Sequence, residues 1–477
     1  MNDRGAAGAG LVAAVALAVM AGFAGPVARA APADDEREIA AYRPQGRPVQ
    51  GTSTARDAPP LAPVGSYVDS IGAGETRHYR VELDADSTAY VSVVAVPPPG
   101  SPVTAFRDGV ELSLRDSGGQ LCDRSRPTAE AVGAVYPLAG YAVRLKRPGA
   151  ADGCGRAGEY DFTVARDAGP GRTPGRSGTS GTSGAAGTGG ADGSDGAARW
   201  PLELRFEQEP AVRGGPTAPP SPSGGRPTEP PPTPDAAGEQ LGERAGGSDF
   251  RQAGALRPGV WTTRVAPGET RYFRVRLDWG QRLSASAALP AAGDPDSAAP
   301  DATSPGGGAA HRRPLGDAFG VTLYNPMRGP VRRSGFAPYA GDRAEDALEP
   351  TAPVAYGNRF ARARPEVAAV SFAGEYYLAV TLHPDMARYF GRTVPVTLRI
   401  GVTGARQAGP EYVRDGSGDG FGLRRPATGA EDAGAADGPD GPLRAVAYAA
   451  FGTGTALLLG LAAWTVTARR RSGRPGG

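Results

Sequence analysis

The chain has 477 residues and a formal net charge of +2, with 52 basic and 50 acidic residues. This balance gives no support for nucleic-acid binding, and at roughly 100–200 residues per domain the length allows two or three domains. The 72 glycines and 47 prolines make up a quarter of the chain, a share that predicts disorder in part of it.

Residues 1–30 have the features of a secretion signal. A positively charged start precedes an apolar run, Leu11–Phe23, and small residues at Ala28 and Ala30 suit a signal peptidase. We therefore expect export, with cleavage after Ala30. An uncleaved N-terminal anchor is the alternative, and the apolar run is short for one.

Three segments recur in the same order, which indicates a duplicated domain. The matched pairs are 74–84 with 268–278, 157–164 with 373–380, and 201–206 with 395–400. In the first pair eight of eleven positions are identical. Repeat units of this length are domains rather than solenoid turns.

The matched segments alternate between apolar and polar residues, as half-buried strands do. In the first copy Tyr79, Val81 and Leu83 are predicted to face a core, with the charged residues between them outward. Short strands separated by Gly-, Pro- and Asp-rich turns are typical of antiparallel sandwiches. We predict an all-β fold with two jelly-roll-like β-sandwich domains, at 61–208 and 248–403.

The repeat also assigns the low-complexity segments. Residues 167–198 lie between two matched strands, so they are predicted to be a disordered insertion within the first domain. Residues 209–247 are Pro-rich and are predicted to be a semi-stiff linker, whereas 404–442 form a stalk.

A second apolar segment, Ala445–Ala468, has roughly 24 uncharged residues, which is long enough to cross a bilayer core, and we predict a transmembrane helix over 443–468. Arg469, Arg470 and Arg471 follow it, and positive charge beside a span marks the cytoplasmic side. We therefore expect a single-pass cell-membrane protein with its N-terminus outside and a cytoplasmic tail, 469–477.

Gly452, Ala456 and Gly460 recur at every fourth residue of this segment. Small residues at that spacing let two helices approach closely, so weak self-association through the helix is a hypothesis. The alternative is simply the abundance of small residues in an Ala- and Gly-rich chain.

The two cysteines are Cys122 and Cys154. In an exported chain an isolated pair is more often a disulfide than a metal site. The bond would close a loop of about 30 residues and stabilise the fold by about 3–4 kcal/mol. Two free thiols are the alternative.

Segments 268–281 and 373–380 resemble strands of bacterial pre-peptidase C-terminal domains, in which a Tyr/Phe-rich strand leads into a turn and a Gly-x-Tyr strand follows. The combination with a signal, a stalk and a C-terminal span is similar to actinobacterial cell-surface proteins of uncharacterised role. The resemblance implies a β-sandwich fold and a surface location, and it supplies no catalytic residues.

Neither histidines nor acidic clusters indicate a reactive site. His78, His311 and His383 share no metal-ligand spacing, and no Gly-x-Ser-x-Gly elbow occurs. Asp415–Gly420 matches the first half of a calcium loop, but Pro426 stands where the loop needs a bidentate Glu, so we interpret it as stalk. We predict no metal, no cofactor and no enzymatic activity.

One charged pair is repeated: Glu75 and Arg77 recur as Glu269 and Arg271. We interpret the pair as turn and edge charge that prevents edge-to-edge pairing of sheets. A functional role for the repeated charges is the alternative.

The favoured function is a non-enzymatic cell-surface binding or scaffold protein, with membrane lipid and envelope or secreted proteins as partners. Carbohydrate or cell-wall polymer binding is one alternative, for which outward aromatics such as Tyr377 would serve as contacts. An unrecognised extracellular hydrolase is another, and it would need a Ser, a His and an acid to converge in one cleft.

Overall fold

The computed structural model describes residues 41–147, 153–167, 198–214, 239–293, 313–361 and 363–413. Within these ranges the chain is all-β: twenty strands form four five-stranded sheets, and helical segments have three to five residues. The described part contains no helix long and apolar enough to cross a membrane.

Several predictions fall on residues outside these ranges and stay predictions. They are the signal with Ala28 and Ala30, the span 443–468 with Gly452, Ala456 and Gly460, the arginines Arg469, Arg470 and Arg471, and His311 and Asp415–Gly420.

The first copy contains ten strands in two sheets. In chain order they are β1 Arg47–Pro48, β2 Pro60–Leu61, β3 Gly65–Ile71, β4 Thr76–Leu83, β5 Thr88–Ala95, β6 Val110–Asp116, β7 Leu121–Ser125, β8 Leu138–Arg144, β9 Gly158–Arg166 and β10 Trp200–Glu209. Sheet I has the strand order β2-β4-β9-β6-β7, and sheet II has β1-β3-β10-β5-β8. The short strand β1 pairs in parallel with β3, and β2 pairs in parallel with β4. All other neighbouring strands in the two sheets are antiparallel.

The second copy repeats this topology. Its strands are β11 Gln240–Glu243, β12 Gly254–Leu256, β13 Gly259–Val265, β14 Thr270–Leu277, β15 Arg282–Leu289, β16 Leu315–Tyr324, β17 Pro330–Tyr339, β18 Ala344–Leu348, β19 Gly374–Leu382 and β20 Val394–Thr403. Sheet III has the order β12-β14-β19-β16-β17 and sheet IV has β11-β13-β20-β15-β18. Sheet III therefore corresponds to sheet I, and sheet IV to sheet II, which confirms two duplicated β-sandwiches. Strand β11 lies within the range that the sequence assigned to the linker.

Short helical segments occur only between strands in the part that the structure describes. They are Ala55–Asp57, Gly153–Gly155, Tyr356–Phe360, Pro365–Ala368, Pro384–Met386 and Ala387–Phe390.

The predicted alternation matches the burial of the strands. Tyr79, Val81 and Leu83 are almost completely buried, in a core shared by sheets I and II. Phe273 and Val275 take equivalent places between sheets III and IV. Each sandwich thus has its own hydrophobic core, formed by the inward residues of two facing sheets.

The disulfide prediction is confirmed. Cys122 of β7 is bonded to Cys154, which lies just before β9. The bond joins the outermost strand of sheet I to the segment that leads into its central strand β9, so it fixes an edge that has a neighbour on one side only.

The repeated Glu–Arg pair does not lie at a sheet edge, which corrects that part of its interpretation. It opens β4, which runs between β2 and β9. Glu75 accepts a hydrogen bond from Gly72 N–H at 2.9 Å and pairs with Arg77, whose Nη1 donates to Gly51 O. In the second copy Glu269 accepts from Ala266 N–H in the same way. The pair therefore closes a turn and fastens the preceding segment to the strand.

Candidate functional site

The two sandwiches pack against each other through sheets II and III. Every residue of β5 is buried, because Val91 and Val93 face the first core while Tyr90 and Val94 contact the second copy. Both sandwiches belong to one compact unit of the chain. We call the two packed sandwiches the head. In the described residues it is a stack of four sheets in the order I, II, III, IV.

Aromatic residues on the outward face of sheet III lie inside this interface. The ring of Phe250 stands 4.7 Å from Tyr272, 5.3 Å from Tyr324 and 5.1 Å from Tyr377. Tyr42 of the first copy packs against the same cluster. Tyr377 points away from the core of its own sandwich, as predicted. Its ring packs against Phe250 inside the interface.

Two ion pairs are buried in the interface. Arg328 binds Glu203 at 2.5 Å, and Arg359 binds Glu209 through both ends of its guanidinium group, one contact being 2.9 Å. Side-chain exposure is 5% and 1% in the first pair and 3% and 1% in the second. Burial lowers the pKa of each arginine, but the facing tyrosine and glutamate outweigh it and raise the pKa overall. Both arginines therefore remain charged inside the interface.

Tyrosines donate further hydrogen bonds to the carboxylates of both pairs. Tyr42 Oη donates to Glu203 Oε2 at 3.1 Å, and Tyr412 Oη donates to Glu209 Oε1 at 2.7 Å. Buried charges are tolerated when they are paired and hydrogen-bonded in this way.

The turn between β16 and β17 carries one of the arginines into the first copy. Asn325 Oδ1 accepts from the backbone N–H groups of Met327 and Gly329, both at 3.0 Å, and this holds Arg328 at a φ of 62°. Gly329 lies so close to Tyr141 that a Cβ there would stand 1.9 Å from a ring carbon. The turn between β16 and β17 is therefore a docking element of the second copy.

The outward face of sheet IV corresponds to the docking face of sheet II, but it carries different residues at the positions that make the docking contacts. By the repeat alignment, the positions of Tyr90, Val94, Glu203 and Glu209 are taken in the second copy by Ser284, Ala288, Thr397 and Thr403. Sheet IV consequently presents small, uncharged side chains where sheet II presents aromatic rings and carboxylates.

Two of these positions, Ala288 and Thr397, line a cleft of about 230 Å³. Thr262, Thr397 and Ala288 lie side by side on neighbouring strands, in one row across the sheet. Polar, small and apolar residues line the cleft: Gln240, Thr262, Ala288, Leu289, Pro290, Arg343, Thr397 and Arg399.

A hydrogen-bonded carboxylate orients one of the lining arginines. Arg399 Nη1 donates to Glu345 Oε1 at 3.2 Å, and Ser286 Oγ donates to the same oxygen at 2.7 Å. Arg399 is about one-fifth exposed. Its guanidinium group is thus held across the sheet, where its position relative to the cleft is fixed.

The outer face of sheet I brings together the groups that the hydrolase alternative requires. His78 Nδ1 lies 3.0 Å from both carboxylate oxygens of Asp161. The hydroxyls of Ser113 and Thr163, on the neighbouring strands, are 2.6 Å apart and bond each other. The imidazole is therefore oriented by an acid, but these hydroxyls are engaged with one another instead of with the ring.

His383 has a structural role. Its Nε2 lies 3.0 Å from Val132 O in the first copy, and its Nδ1 accepts from Asp385 N–H at 3.0 Å. Among the described residues no group of three or more His, Cys, Asp or Glu side chains is arranged to hold a metal ion.

Comparisons with known proteins return only distant structural likeness. No protein-family model and no curated protein matches the chain. Among solved structures, the CUB1-EGF-CUB2 region of human MASP-1/3 is 6% identical, with 70% of this chain and 99% of that chain covered and a TM-score of 0.14. The tandem CBM22 domains of Paenibacillus barcinonensis Xyn10C are 9% identical, with 71% and 85% covered and a TM-score of 0.16. The tandem CBM51 modules of Streptococcus pneumoniae Sp3GH98 are 6% identical, with 70% and 83% covered and a TM-score of 0.18. Similarity at this level assigns neither a family nor a function.

Proposed function

We propose that this chain is a non-enzymatic binding or scaffold protein that displays a rigid two-sandwich head outside the cell membrane. The observation that carries the proposal is the interface between sheets II and III, in which the ion pairs of Glu203 and Glu209 are buried. Flexibly linked modules do not require buried, hydrogen-bonded charges between them, since such groups are costly unless their partners are fixed. The duplication serves to build one stiff body.

The route of the chain supports attachment at one end of this body. Val212, just after β10, pairs with Tyr412, and Arg213 N–H and Val413 N–H each donate a 2.7 Å hydrogen bond across the pair. The last described residue, 413, is therefore fastened to the first sandwich although it follows the second in the chain. A membrane span at 443–468 would attach the head to the membrane.

The outer faces support binding more than chemistry. Among the described residues, sheets I and IV form the two outer sides of the stack, and both carry polar side chains on regular strands. Catalysis needs a nucleophile within hydrogen-bond reach of its base and a site that excludes water. The His78–Asp161 pair lies on an outer sheet face with its neighbouring hydroxyls engaged elsewhere.

Protease access on intact cells tests location and rigidity together. Sites for a sequence-specific protease are inserted within 215–238 and, separately, within 425–442. Protease added outside should release the head from cells that carry the second insertion. Cells with the first insertion should yield two fragments that stay associated through the interface. Resistance of both sites in intact cells would overturn the surface location, and separation of the two fragments would overturn the rigid head.

An activity assay addresses the hydrolase alternative. The purified chain and its His78→Ala variant are compared on generic ester and peptide substrates. We expect both to match the buffer control. Turnover that disappears with His78→Ala would replace the binding proposal with an enzymatic one.

A further inference from the structure

Residues 404–413 follow β20 and cross from the second sandwich to the first, and we infer that they form a strap that releases under tension before either sandwich opens. The inference rests on the proposed attachment to the membrane through the chain that follows residue 413. It adds what a pull on that attachment does to the head. Release of the strap changes how the two sandwiches are held together, so the strap is a conformational device.

The strap is weakly held along the second sandwich. Gln407 N–H donates to Trp279 O at 2.8 Å, and Arg406, which is 77% exposed, pairs with Asp278 at 3.0 Å. Gly409 lies against the indole ring of Trp279, and the strap is exposed up to this glycine. Ion pairs at the surface contribute little, and local opening costs least where few apolar contacts are buried. This part of the strap therefore opens more easily than a strand of the sandwich.

The far end of the strap is fixed to the first sandwich. Tyr412 pairs with Val212, and two backbone hydrogen bonds of 2.7 Å flank the pair. Tyr412 Oη also donates to Glu209 Oε1 at 2.7 Å, and Glu209 is the carboxylate that binds Arg359 of the second copy. One glutamate thus receives both the strap and an arginine of the interface. Release of the strap consequently removes a hydrogen-bond donor from a buried ion pair.

The connectivity of the chain sets the order in which the contacts break. A pull on the chain after residue 413 reaches the Val212–Tyr412 bridge first, then the contacts with Trp279, and β20 last. Strand β20 is paired at seven positions with β13 and at seven positions with β15, and four of its side chains are buried. The strap therefore leaves before β20 does.

The strap also determines the path that the tension takes. While the bridge holds, a pull enters the first sandwich directly at the end of β10. Once the bridge opens, the same pull reaches the first sandwich through the second sandwich and the contact between sheets II and III. The head thus has a first step, in which it lengthens by the strap while both cores remain folded.

Single-molecule force measurements on the purified full-length chain test the inference. One handle peptide is inserted within 168–197 and the other within 425–442. The first handle pulls on β9 and β10, each of which has a hydrogen-bonded neighbour on both sides. Release of the strap lengthens the chain by on the order of tens of Å, whereas opening of the roughly 160 residues of the second sandwich releases about 500 Å. The two events are therefore distinguished by their length.

Three variants identify the short step. Val212→Cys combined with Tyr412→Cys places two cysteines at a non-hydrogen-bonded antiparallel pair, where a Cα separation of about 4.5 Å suits a disulfide. Tyr412→Phe keeps the ring and removes the hydrogen bond to Glu209. The matched control is Tyr67→Phe, which removes a tyrosine hydroxyl that bonds within the first sandwich.

We expect a short step that precedes the long one and is absent from the crosslinked chain. At a fixed force it should occur about 10-fold sooner in Tyr412→Phe, because a hydrogen bond to a carboxylate is lost, whereas Tyr67→Phe should leave its lifetime within about 2-fold. A long step with no short step before it, a short step that persists in the crosslinked chain, or equal effects of the two Phe variants would overturn the strap. The measurement uses the isolated chain, so the proposed location at the membrane is decided separately by the protease experiment on cells.

Discussion

Replacing Glu203 with glutamine tests whether buried charge holds the two sandwiches together. The substitution keeps the size of the side chain and one acceptor oxygen, but it removes the only carboxylate bonded to Arg328 in the described part of the chain. Arg328 then remains charged, because a guanidinium group stays protonated in proteins. The variant leaves a guanidinium ion buried in the interface without a counter-ion.

The magnitude follows from the burial of both groups. With exposures of 5% for Arg328 and 1% for Glu203, solvent cannot replace the lost partner. Removing one member of a buried pair typically costs about 3–5 kcal/mol. Adding Arg328→Met replaces the stranded ion with an apolar group, and this should recover most of the loss, since apolar replacements of buried pairs are often neutral.

The assay is dissociation of the two halves after proteolytic cleavage within 215–238, followed by analytical ultracentrifugation. Glu203→Gln should raise the dissociation constant by at least about 100-fold, at 1.4 kcal/mol per tenfold change. The control is Glu159→Gln, which breaks the Arg80–Glu159 pair on the outer face of sheet I. That pair is 2.9 Å long but 42% and 57% exposed, so it should contribute less than about 1 kcal/mol and nothing to docking. Equal effects of Glu203→Gln and the control, or a double variant no better than Glu203→Gln alone, would refute the reasoning.

Three further predictions concern stability. Removing the disulfide with Cys122→Ser and Cys154→Ser should lower the free energy of unfolding by about 2–5 kcal/mol, measured by denaturant titration, and a loss as small as that of a surface substitution would contradict this. Tyr412→Phe should speed hydrogen exchange in its backbone bridge, because the bond that it donates to a buried carboxylate is worth about 1.5–3 kcal/mol; unchanged exchange would show that the bridge does not need that bond. The hydrogen bonds from Arg199 lower the pKa of Glu75 from 4.5 to about 2, so this pair contributes stability above about pH 4.5 that is lost as the pH falls towards 2. Glu75 is 37% exposed, and we expect Glu75→Gln to cost no more than about 1 kcal/mol at pH 7 and nothing near pH 2 in thermal melts; an equal cost at both values would contradict the linkage.

The alternation in the repeated segments was sufficient to predict the two sandwich cores. Residues such as Tyr79 and Phe273 face a core because a strand with one buried face must place its apolar side chains at every second position. The disulfide was also predictable, since the two cysteines are the only ones in the chain. These inferences depend on local pattern and composition, which the sequence states directly.

The packing of the sandwiches on each other was not predicted, although the sequence carries a signal for it. The segment Thr88–Ala95 reads Thr-Ala-Tyr-Val-Ser-Val-Val-Ala, in which Tyr90 and Val94 interrupt the alternation with apolar residues on the outward face. A strand that is apolar on both faces is covered on both faces. The sequence does not predict which residues cover this face. The contact of Glu203 with Arg328 joins residues 125 positions apart, and nothing in their local sequence links them.

For the same reason, the sequence predicts the orientation of Tyr377 correctly, but the side chain packs in the interface instead of being available to a ligand. Alternation determines which side of a strand a residue occupies, but it does not determine what covers that side. Phe250 fills the space beside Tyr377, and it lies in a segment before β12 that has no counterpart among the repeated motifs. Sequence periodicity therefore identifies a face, and only the tertiary structure tells whether that face is open.

The divergence of the two copies accounts for why the docking contact forms once. Sheets II and III are unlike faces of the duplicated unit, so identical copies would leave unlike faces at both ends of the stack and could continue to associate head to tail. Substitutions at the matching positions prevent this: Tyr272 and Tyr377 of sheet III correspond to His78 and Asp161 of sheet I, and Tyr90 and Glu203 of sheet II correspond to Ser284 and Thr397 of sheet IV. In the described part of the chain, the outer faces of sheets I and IV carry polar or small side chains at positions where the docking faces carry aromatic rings or a carboxylate. The chain thus keeps one copy of the contact to make its head rigid, and the two outer faces are free to acquire different surfaces, one of which is the cleft on sheet IV.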